Sequence, residues 1–253
     1  VEEGVLTGRY IFMTVMSCGI AILGLLLSSP AVIIGAMLIS PLMGPIMLMG
    51  FSLAILDLAS LRQSVISLAI GTAVALGTAF LIVLISPLTE NTSEILARAR
   101  PNFFDLLVAV FSGFAGGYAV IHRKGETIVG VAIATALMPP LAVTGFGIAT
   151  AQFEIAGGAF FLFMTNLLAI ALSVTILASF YGFGERHSPR HAAWQNALIF
   201  GVFIALWLRS GLAEGTLQQS GALFGGLLGF VSFWLRRSLE ETPEFTRMLA
   251  LKA

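Results

Sequence analysis

Long runs of apolar residues, separated by short polar clusters, dominate the pattern along the chain. About 20 consecutive apolar residues suffice to cross the hydrocarbon core of a bilayer as a helix, and runs of about this length recur from end to end. Strands of a membrane barrel would instead alternate apolar and polar residues over about ten positions. The pattern therefore predicts eight membrane-spanning helices, at residues 10–28, 30–56, 65–86, 103–121, 127–151, 155–183, 196–212 and 222–235.

The composition agrees with a chain that lies in a bilayer. Of 253 residues, 58% are hydrophobic and 10% are charged, whereas soluble domains carry roughly 25% charged residues. This excludes collagen, a disordered chain and a disulfide scaffold, and the balance of 13 basic and 13 acidic residues indicates no nucleic-acid partner. We predict an all-α polytopic protein in contact with membrane lipids, with residues 1–253 as one membrane domain. Because the chain begins at Val1 and not at Met, a soluble segment before it is conceivable.

The basic residues predict the orientation, because cytoplasmic loops collect Lys and Arg. Alternate assignment of the connections places ten basic residues on one side: Arg9, Arg62, Arg123, Lys124, Arg186, Arg190, Arg236, Arg237, Arg247 and Lys252. The other side receives three, Arg98, Arg100 and Arg209. Aromatic residues typical of an interfacial belt fall near the more basic face: Tyr10, Tyr118, Tyr181, Trp194 and Trp234. Both termini are expected in the cytoplasm of a bacterial or archaeal cell, with the chain in its cytoplasmic membrane.

An internal repeat becomes visible when the chain is shifted against itself by 95 residues. Eight pairs are then identical within one segment: Ile33/Ile128, Gly35/Gly130, Leu42/Leu137, Met43/Met138, Pro45/Pro140, Gly50/Gly145, Phe51/Phe146 and Ala54/Ala149. The first repeat spans residues 10–86 and the second 103–183, with three predicted helices each. Since three is odd, the repeats should be inverted, as in many secondary transporters. Re-entrant middle segments would make them parallel, but would scramble the distribution of basic residues.

Two additional helices, predicted within residues 196–235, lie outside the repeat. We expect them to pack on a neighbouring subunit, and we expect a homo-oligomer.

Proline near the centre of each repeat predicts a broken middle helix. A proline inside a helix removes a backbone donor and clashes one turn back, and paired interrupted spans are the sequence indication of a transporter site. A simple kink is the alternative, and the hydroxyls nearby could bond within their own helix. The predicted substrate-binding residues at the breaks are Ser40, Pro41, Gly44 and Pro45 in the first repeat and Thr135, Pro139 and Pro140 in the second.

A polar cluster precedes the fourth predicted span, at the less basic face. Arg98, Arg100, Asn102 and Asp105 fall within eight residues there. They fit either an interfacial cap with snorkelling arginines or a gate, in which Asp105 is the deepest carboxylate and a candidate cation or proton site.

Thr165 and Asn166 lie near the centre of the sixth predicted span, far from any charged residue. The amide is expected either to hydrogen-bond a neighbouring helix or to contact the solute at the broken spans. The sequence contains no pattern typical of a metal cluster, a nucleotide loop or a hydrolase nucleophile. We therefore predict no enzyme, no metal and no cofactor.

Several segments resemble a family of membrane proteins catalogued as domain of unknown function 389. They are SPLMGPI at 40–46, RPNFFDLLVAVFSGFAGGYA at 100–119, GVAIATALMPPLAVTGFGIA at 130–149 and LFMTN at 162–166. The resemblance covers roughly residues 20–185 and implies a membrane class without an activity.

The leading hypothesis is a transporter that moves a small polar solute or ion through a site between the broken spans. An oligomeric channel built from the same parts is one alternative, and a non-transporting membrane scaffold or regulator is another.

Overall fold

Helices make up every regular element that the computed structural model describes. It covers residues 6–55, 57–122 and 126–183, with the backbone alone at residue 103 and residues 126–136. The elements are α1 (Gly8–Leu26), α2 (Pro30–Leu38), α3 (Met43–Ile55), α4 (Leu58–Ile85), α5 (Ser93–Ala99), α6 (Phe103–His122), α7 (Glu126–Ala149) and α8 (Phe153–Phe180).

The helices identify a membrane protein. Four of them, α1, α4, α6 and α8, are long and apolar enough to cross a bilayer, and α2 with α3 forms a fifth candidate span that is bent by 58°. Of the eight predicted spans, the first six correspond to α1, α2 with α3, α4, α6, α7 and α8. The predicted spans at 196–212 and 222–235 lie outside the described residues.

The first three spans run in alternating directions. Helices α1 and α4 are parallel, because Tyr10 bonds the carbonyl of Ser67 near their starts and Gly19 lies against Ile82 near their ends. We call the end of the bundle at Tyr10 the first end, and the opposite end the second end. Since α1 finishes at the second end and α4 starts at the first, α2 and α3 together carry the chain across the bundle.

The second group of three helices starts from the opposite end. Gly113 lies against Ile170 and Gly117 against Leu177, so α6 and α8 are also parallel to each other. The start of α5 sits beside the finish of α1, since the hydroxyl of Thr92 donates to the carbonyl of Leu25 at 2.8 Å. The loop before α5 also meets the start of α8 through the Asn91–Gln152 side-chain bond of 2.8 Å. Helices α6 and α8 therefore run from the second end to the first.

The shift of 95 residues that aligns the sequence also aligns the helices. Added to the bounds of α4, it gives 153–180, the bounds of α8, and added to those of α1 it gives 103–121, within one residue of α6. The caps correspond too. The Thr7 side chain accepts the N–H of Tyr10, and the Asn102 side chain accepts the N–H of Asp105, 95 residues later.

Contacts between the two groups of helices are reciprocal. A Cβ added to Gly50 in α3 would lie 2.6 Å from the Val174 Cβ of α8 and 2.9 Å from the Ala171 oxygen. A Cβ added to Gly145 in α7 would lie 2.5 Å from the Ala79 Cβ of α4 and 3.1 Å from the Leu76 oxygen. All three pairs, 50/145, 76/171 and 79/174, differ by 95. Each middle segment therefore packs on the last helix of the other group through the same positions.

The prediction of a break in the fifth span is wrong. Helix α7 runs without interruption from Glu126 to Ala149, with Pro139 and Pro140 inside it. An interior proline costs about 3 kcal/mol relative to alanine, so the surrounding packing must compensate. Every residue from 137 to 147 is buried, and α7 contacts α1, α2, α4, α6 and α8. Tertiary packing thus keeps helical a segment whose local sequence favours a break.

Three smaller expectations also needed correction. Helix α4 begins at Leu58 and not near residue 65, because the Asp57 carboxylate accepts the N–H groups of Ala59 and Ser60 and caps the helix there. Helix α5 occupies part of a connection predicted as a loop. Tyr10 is 4% exposed, packed over Gly71, and is therefore a core residue and not part of an interfacial belt.

Candidate functional site

The break between α2 and α3 lies near the middle of the bundle. Helix α2 has nine residues and α3 has 13, which at about 1.5 Å per residue are roughly 14 and 20 Å long. A hydrocarbon core is about 30 Å thick. The four residues between the helices, 39–42, therefore fall close to mid-membrane when this segment crosses the bilayer.

The break leaves backbone polar groups without helical partners. Within the described residues, the N–H groups of Leu42, Met43 and Gly44 and the carbonyls of residues 38–41 form no well-aligned backbone–backbone hydrogen bond, and Pro41 and Leu42 form a turn. Pro41 and Pro45 have no N–H to offer. Pro45 lies in the first turn of α3, where a helix tolerates proline well. Donors at the start of α3 and acceptors at the finish of α2 thus meet at one place.

Ser40 adds a hydroxyl to this group. Its Oγ is buried and has no hydrogen-bond partner among the described residues. The residue as a whole is partly exposed, like Ile39, Pro41, Met43 and Gly44 around it. The break is therefore reached from outside the described bundle and is not sealed within it.

Apolar side chains pack at the same level as the break. Leu42 and Ile46 on the first repeat and Leu137 and Met138 on the second are fully buried. Helix α2 packs against α7, and α3 also touches it. The two middle segments are thus neighbours, with leucine, isoleucine and methionine side chains packed beside the polar backbone groups.

The predicted residues of the second repeat lie in a continuous helix. Pro139 and Pro140 are buried in α7, and without N–H groups they cannot donate to the carbonyls of residues 135 and 136. The Thr144 hydroxyl bonds the Pro140 carbonyl at 2.8 Å. Thr135 lies on α7, and its side chain is outside the described set. The second repeat thus offers carbonyls to the centre of the bundle but no broken helix.

Thr165 and Asn166 are both buried near the middle of α8. The Thr165 hydroxyl donates within its own helix, at 3.0 Å to the carbonyls of Phe161 and Leu162. These two bonds give the Thr165 hydroxyl partners within its own helix, and its contact with a solute stays a prediction. Asn166 is 3% exposed, so its amide faces protein and not lipid.

The polar cluster before α6 forms a reciprocal cap at the second end. The Asn102 N–H donates to the Asp105 carboxylate at 2.9 Å, and the Asp105 N–H donates to the Asn102 side chain at 3.1 Å. Such a capping box satisfies two orphan donors of the helix start. Arg98 forms an ion pair of 2.7 Å with Glu94 in α5, and Arg100 is exposed. The cluster was predicted as either a cap or a gate. The structure shows the cap, and the gate stays a prediction.

The repeat reveals a correspondence that the sequence argument missed. Asp105 is the counterpart of Tyr10, and Asn166 is the counterpart of Gly71, 95 residues apart in both cases. In the first repeat the Tyr10 ring packs over Gly71. In the second, a half-buried carboxylate and a buried amide take these positions. The offset of 95, read beyond the identical pairs, would have pointed to this difference.

Comparison with known proteins gives a family but no activity. An uncharacterised protein of Methanocaldococcus jannaschii is 29% identical over 209 residues, which are 80% of this chain and 65% of the relative. The chain thus spans slightly less than two thirds of the relative's length. No solved structure matches. The family model described as domain of unknown function (DUF389) matches residues 37–172, more than half of the sequence, and the chain belongs to that family.

Proposed function

We propose that this membrane protein transports a small polar solute or ion through the break between α2 and α3. The observation that carries the proposal is the group of unpartnered backbone donors and acceptors, with the Ser40 Oγ, near the middle of a membrane span. An unpaired polar group in hydrocarbon costs several kcal/mol, and lipid tails cannot pair it. Non-helical backbone at this depth persists only against protein or beside a wet cavity.

The groups at the break favour a solute that both donates and accepts hydrogen bonds, or a small ion that keeps part of its hydration. The start of α3 offers N–H groups and a partial positive charge, while the finish of α2 offers carbonyls and a partial negative charge. No charged side chain lies within residues 30–56, and Asp57 directly follows this range. Recognition at the break would therefore rest on the backbone and on Ser40.

We also propose that the two groups of three helices are inverted repeats, related by a two-fold axis in the membrane plane. The opposite directions of α1 and α6, the matching helix bounds and the reciprocal contacts of Gly50 and Gly145 support this arrangement. Inverted repeats with interrupted helices at their interface occur in many secondary transporters. The enrichment of basic residues at the first end supports a cytoplasmic location for that end.

Flux into reconstituted vesicles is the direct test. Purified protein in liposomes is offered a panel of ions and small metabolites, and we expect uptake of at least one solute class that saturates with concentration. Uptake that does not saturate would favour the channel alternative. The absence of flux across the whole panel would favour the scaffold or regulator.

A matched pair of serine variants ties the flux to the break. We expect Ser40→Ala to reduce uptake several-fold, because it removes the buried hydroxyl at the break. Ser52→Ala, one helix segment later, removes a buried hydroxyl that bonds only the Leu48 carbonyl of its own helix at 2.6 Å, and should leave uptake close to that of the unmodified protein. Equal effects of the two substitutions would contradict a role for the break.

A further inference from the structure

The two middle segments, residues 30–55 and 126–149, are equivalent by sequence but differ in conformation. The first is bent by 58° at residues 39–42, whereas α7 continues as a helix through the equivalent residues 134–137. The flanking helices do not share this difference. Cys18 meets the Ala75 carbonyl in the first repeat, and Gly113 meets the Ile170 carbonyl, 95 residues later, in the second. At these positions the flanking helices pack alike in both repeats, so the difference in backbone conformation lies in the middle segments.

Both middle segments are compatible with either conformation. If α7 broke at residues 134–137 and resumed at Met138, as α3 resumes at Met43, Pro139 and Pro140 would fall in the first turn of the new helix. Proline is tolerated there because it needs no donor. If α2 and α3 joined into one helix, Pro41 and Pro45 would become interior prolines, as Pro139 and Pro140 are now. Each segment thus carries two prolines that oppose the straight form.

We propose that the two middle segments exchange conformations, so that α7 breaks at residues 134–137 when α2 and α3 straighten. Because each state contains one broken and one straight segment, the two states contain the same number of interior prolines. Part of the surroundings is also equivalent, since α3 packs on α8 as α7 packs on α4. Among the described residues, the contact of α7 with α1 has no counterpart of similar extent between α6 and the first middle segment. In the shared contacts, the exchanged state is related to the starting state by a rotation about the pseudo-two-fold axis.

Exchange has a consequence for transport, and this part rests on the proposed function. The proposed axis lies in the membrane plane, as in other inverted repeats, and a rotation about it interchanges the two faces of the membrane. An exchange of conformation between the two units would therefore turn a structure open to one side into one open to the other. The polar groups at residues 38–44 would be withdrawn into a helix while their counterparts near residues 133–139 became available. A solute bound between α2 and α7 would then change the side to which it is exposed.

Paired spin labels can measure the exchange without any solute. In a Cys18→Ala background, one pair is placed at Ala31 and Ile55 and the matched pair at the equivalent positions, Glu126 and Thr150. A straight segment of 24 residues spans about 36 Å, and a bend of 58° shortens it by roughly 4 Å. Breaking or straightening either segment should therefore change the distance between its two labels by the same amount, about 4 Å.

Proline variants shift the balance in a defined direction. With Pro41→Ala and Pro45→Ala combined, we expect the 31–55 distance to lengthen by about 4 Å and the 126–150 distance to shorten by a similar amount. Pro139→Ala with Pro140→Ala should hold the unmodified arrangement. Pro30→Ala, at the first position of α2 and away from the break, is the control and should change neither distance. If the double variant does not fold, the two distances are measured in the single variant Pro45→Ala.

Reciprocal changes in the two distances would support exchange. Lengthening of 31–55 with no change in 126–150 would overturn it, as would no change in either pair. Flux measurements then separate the two proposals. Reciprocal distances without flux would leave the exchange standing and remove the transport assignment, whereas flux without reciprocal distances would do the opposite.

Discussion

At the residue scale, glycine determines how closely the helices of the two repeats approach. Gly50 and Gly145 sit where a neighbouring backbone oxygen lies about 3 Å from the position of a Cβ. Gly77, on α4, has nothing within 4 Å of that position and is exposed. All three are glycines within apolar runs, so the sequence alone does not separate them. The packing of neighbouring helices shows that their structural roles differ.

Alanine substitutions test this distinction. We expect Gly50→Ala and Gly145→Ala each to destabilise the protein by about 1–3 kcal/mol, because the new methyl group overlaps the facing helix. Gly77→Ala should be neutral or stabilising, since alanine favours a helix by up to about 1 kcal/mol over glycine. Thermal unfolding in detergent measures all three. Similar losses for Gly77 and the other two would contradict the close contact of the repeats.

Asp57 predicts a pH effect at the start of α4. Hydrogen bonds from Ser60, first from its hydroxyl at 2.6 Å and then from its N–H, lower the pKa of the Asp57 carboxyl, and the Ala59 N–H adds to this. A lowered folded pKa means that the contribution to stability is complete above the ordinary value of about 3.9 and is lost as the pH falls through the folded pKa.

We therefore expect Asp57→Ala to lower the melting temperature at pH 7 and to have less effect near pH 3. Asp57→Asn should keep part of the cap, because asparagine also accepts from the helix start. Gln152→Ala is the matched control for the pH dependence, since the uncharged Gln152 precedes α8 at the equivalent position without a side-chain cap. It removes the bond with Asn91, and its effect should therefore be the same at both pH values. An effect of Asp57→Ala that is independent of pH would show that the charge is unimportant.

Asp105 and Asn166 predict separate effects on transport. Asp105→Asn keeps an acceptor for the Asn102 N–H but removes the charge, so we expect the protein to fold and the pH or ion dependence of uptake to change. Asn166→Leu removes a buried amide of the second repeat and should reduce uptake while the protein stays in the membrane. Vesicle flux at several pH values measures both. An unchanged pH profile in Asp105→Asn would leave Asp105 as a helix cap alone.

At the element scale, the sequence predicted where helices lie better than whether they are continuous. The apolar runs located α1, α6, α7 and α8 to within a few residues, because burial in lipid or protein requires a long apolar stretch. The break at residues 39–42 was predicted from Pro41, Gly44 and Pro45 and is found. The break near Pro140 was predicted by the same reasoning and is absent, because α7 is surrounded by other helices and proline alone does not decide the outcome.

The directions of the helices were predicted only through the count of basic residues, and a disulfide tests them more directly. Ser28 and Ser93 lie with their Oγ atoms 3.4 Å apart, where the finish of α1 meets the start of α5. In a Cys18→Ala background, Ser28→Cys with Ser93→Cys should cross-link on mild oxidation. Gly8→Cys with Ser93→Cys is the control and should not, because α1 separates these positions by about 30 Å. Cross-linking of the control pair alone would mean that α4 runs antiparallel to α1.

At the scale of the whole molecule, the two ends of the bundle differ in their charges. The first end carries Arg9 and Arg62 in the described residues, and α6 finishes there just before Arg123 and Lys124 in the sequence. At the second end, Arg98 forms an ion pair with Glu94, and the exposed Arg100 shares that end with Glu90 and Glu154. The excess of positive charge thus stays on one side, even though the two repeats share their helix bounds and packing. A common fold with opposite directions and unequal charges fits a single fixed orientation in the membrane.

Labelling with a membrane-impermeant maleimide tests that orientation. Gln63 and Glu90 are exposed and lie near the two ends of α4, so single cysteines at these positions, in a Cys18→Ala background, report one end each. Because cytoplasmic segments collect basic residues, we expect Glu90→Cys to react in intact cells and Gln63→Cys to react only after permeabilisation. The reverse result would place the first end outside. Reaction of both cysteines in intact cells would mean that α4 does not cross the bilayer, and the inverted arrangement of the two repeats would then fail with it.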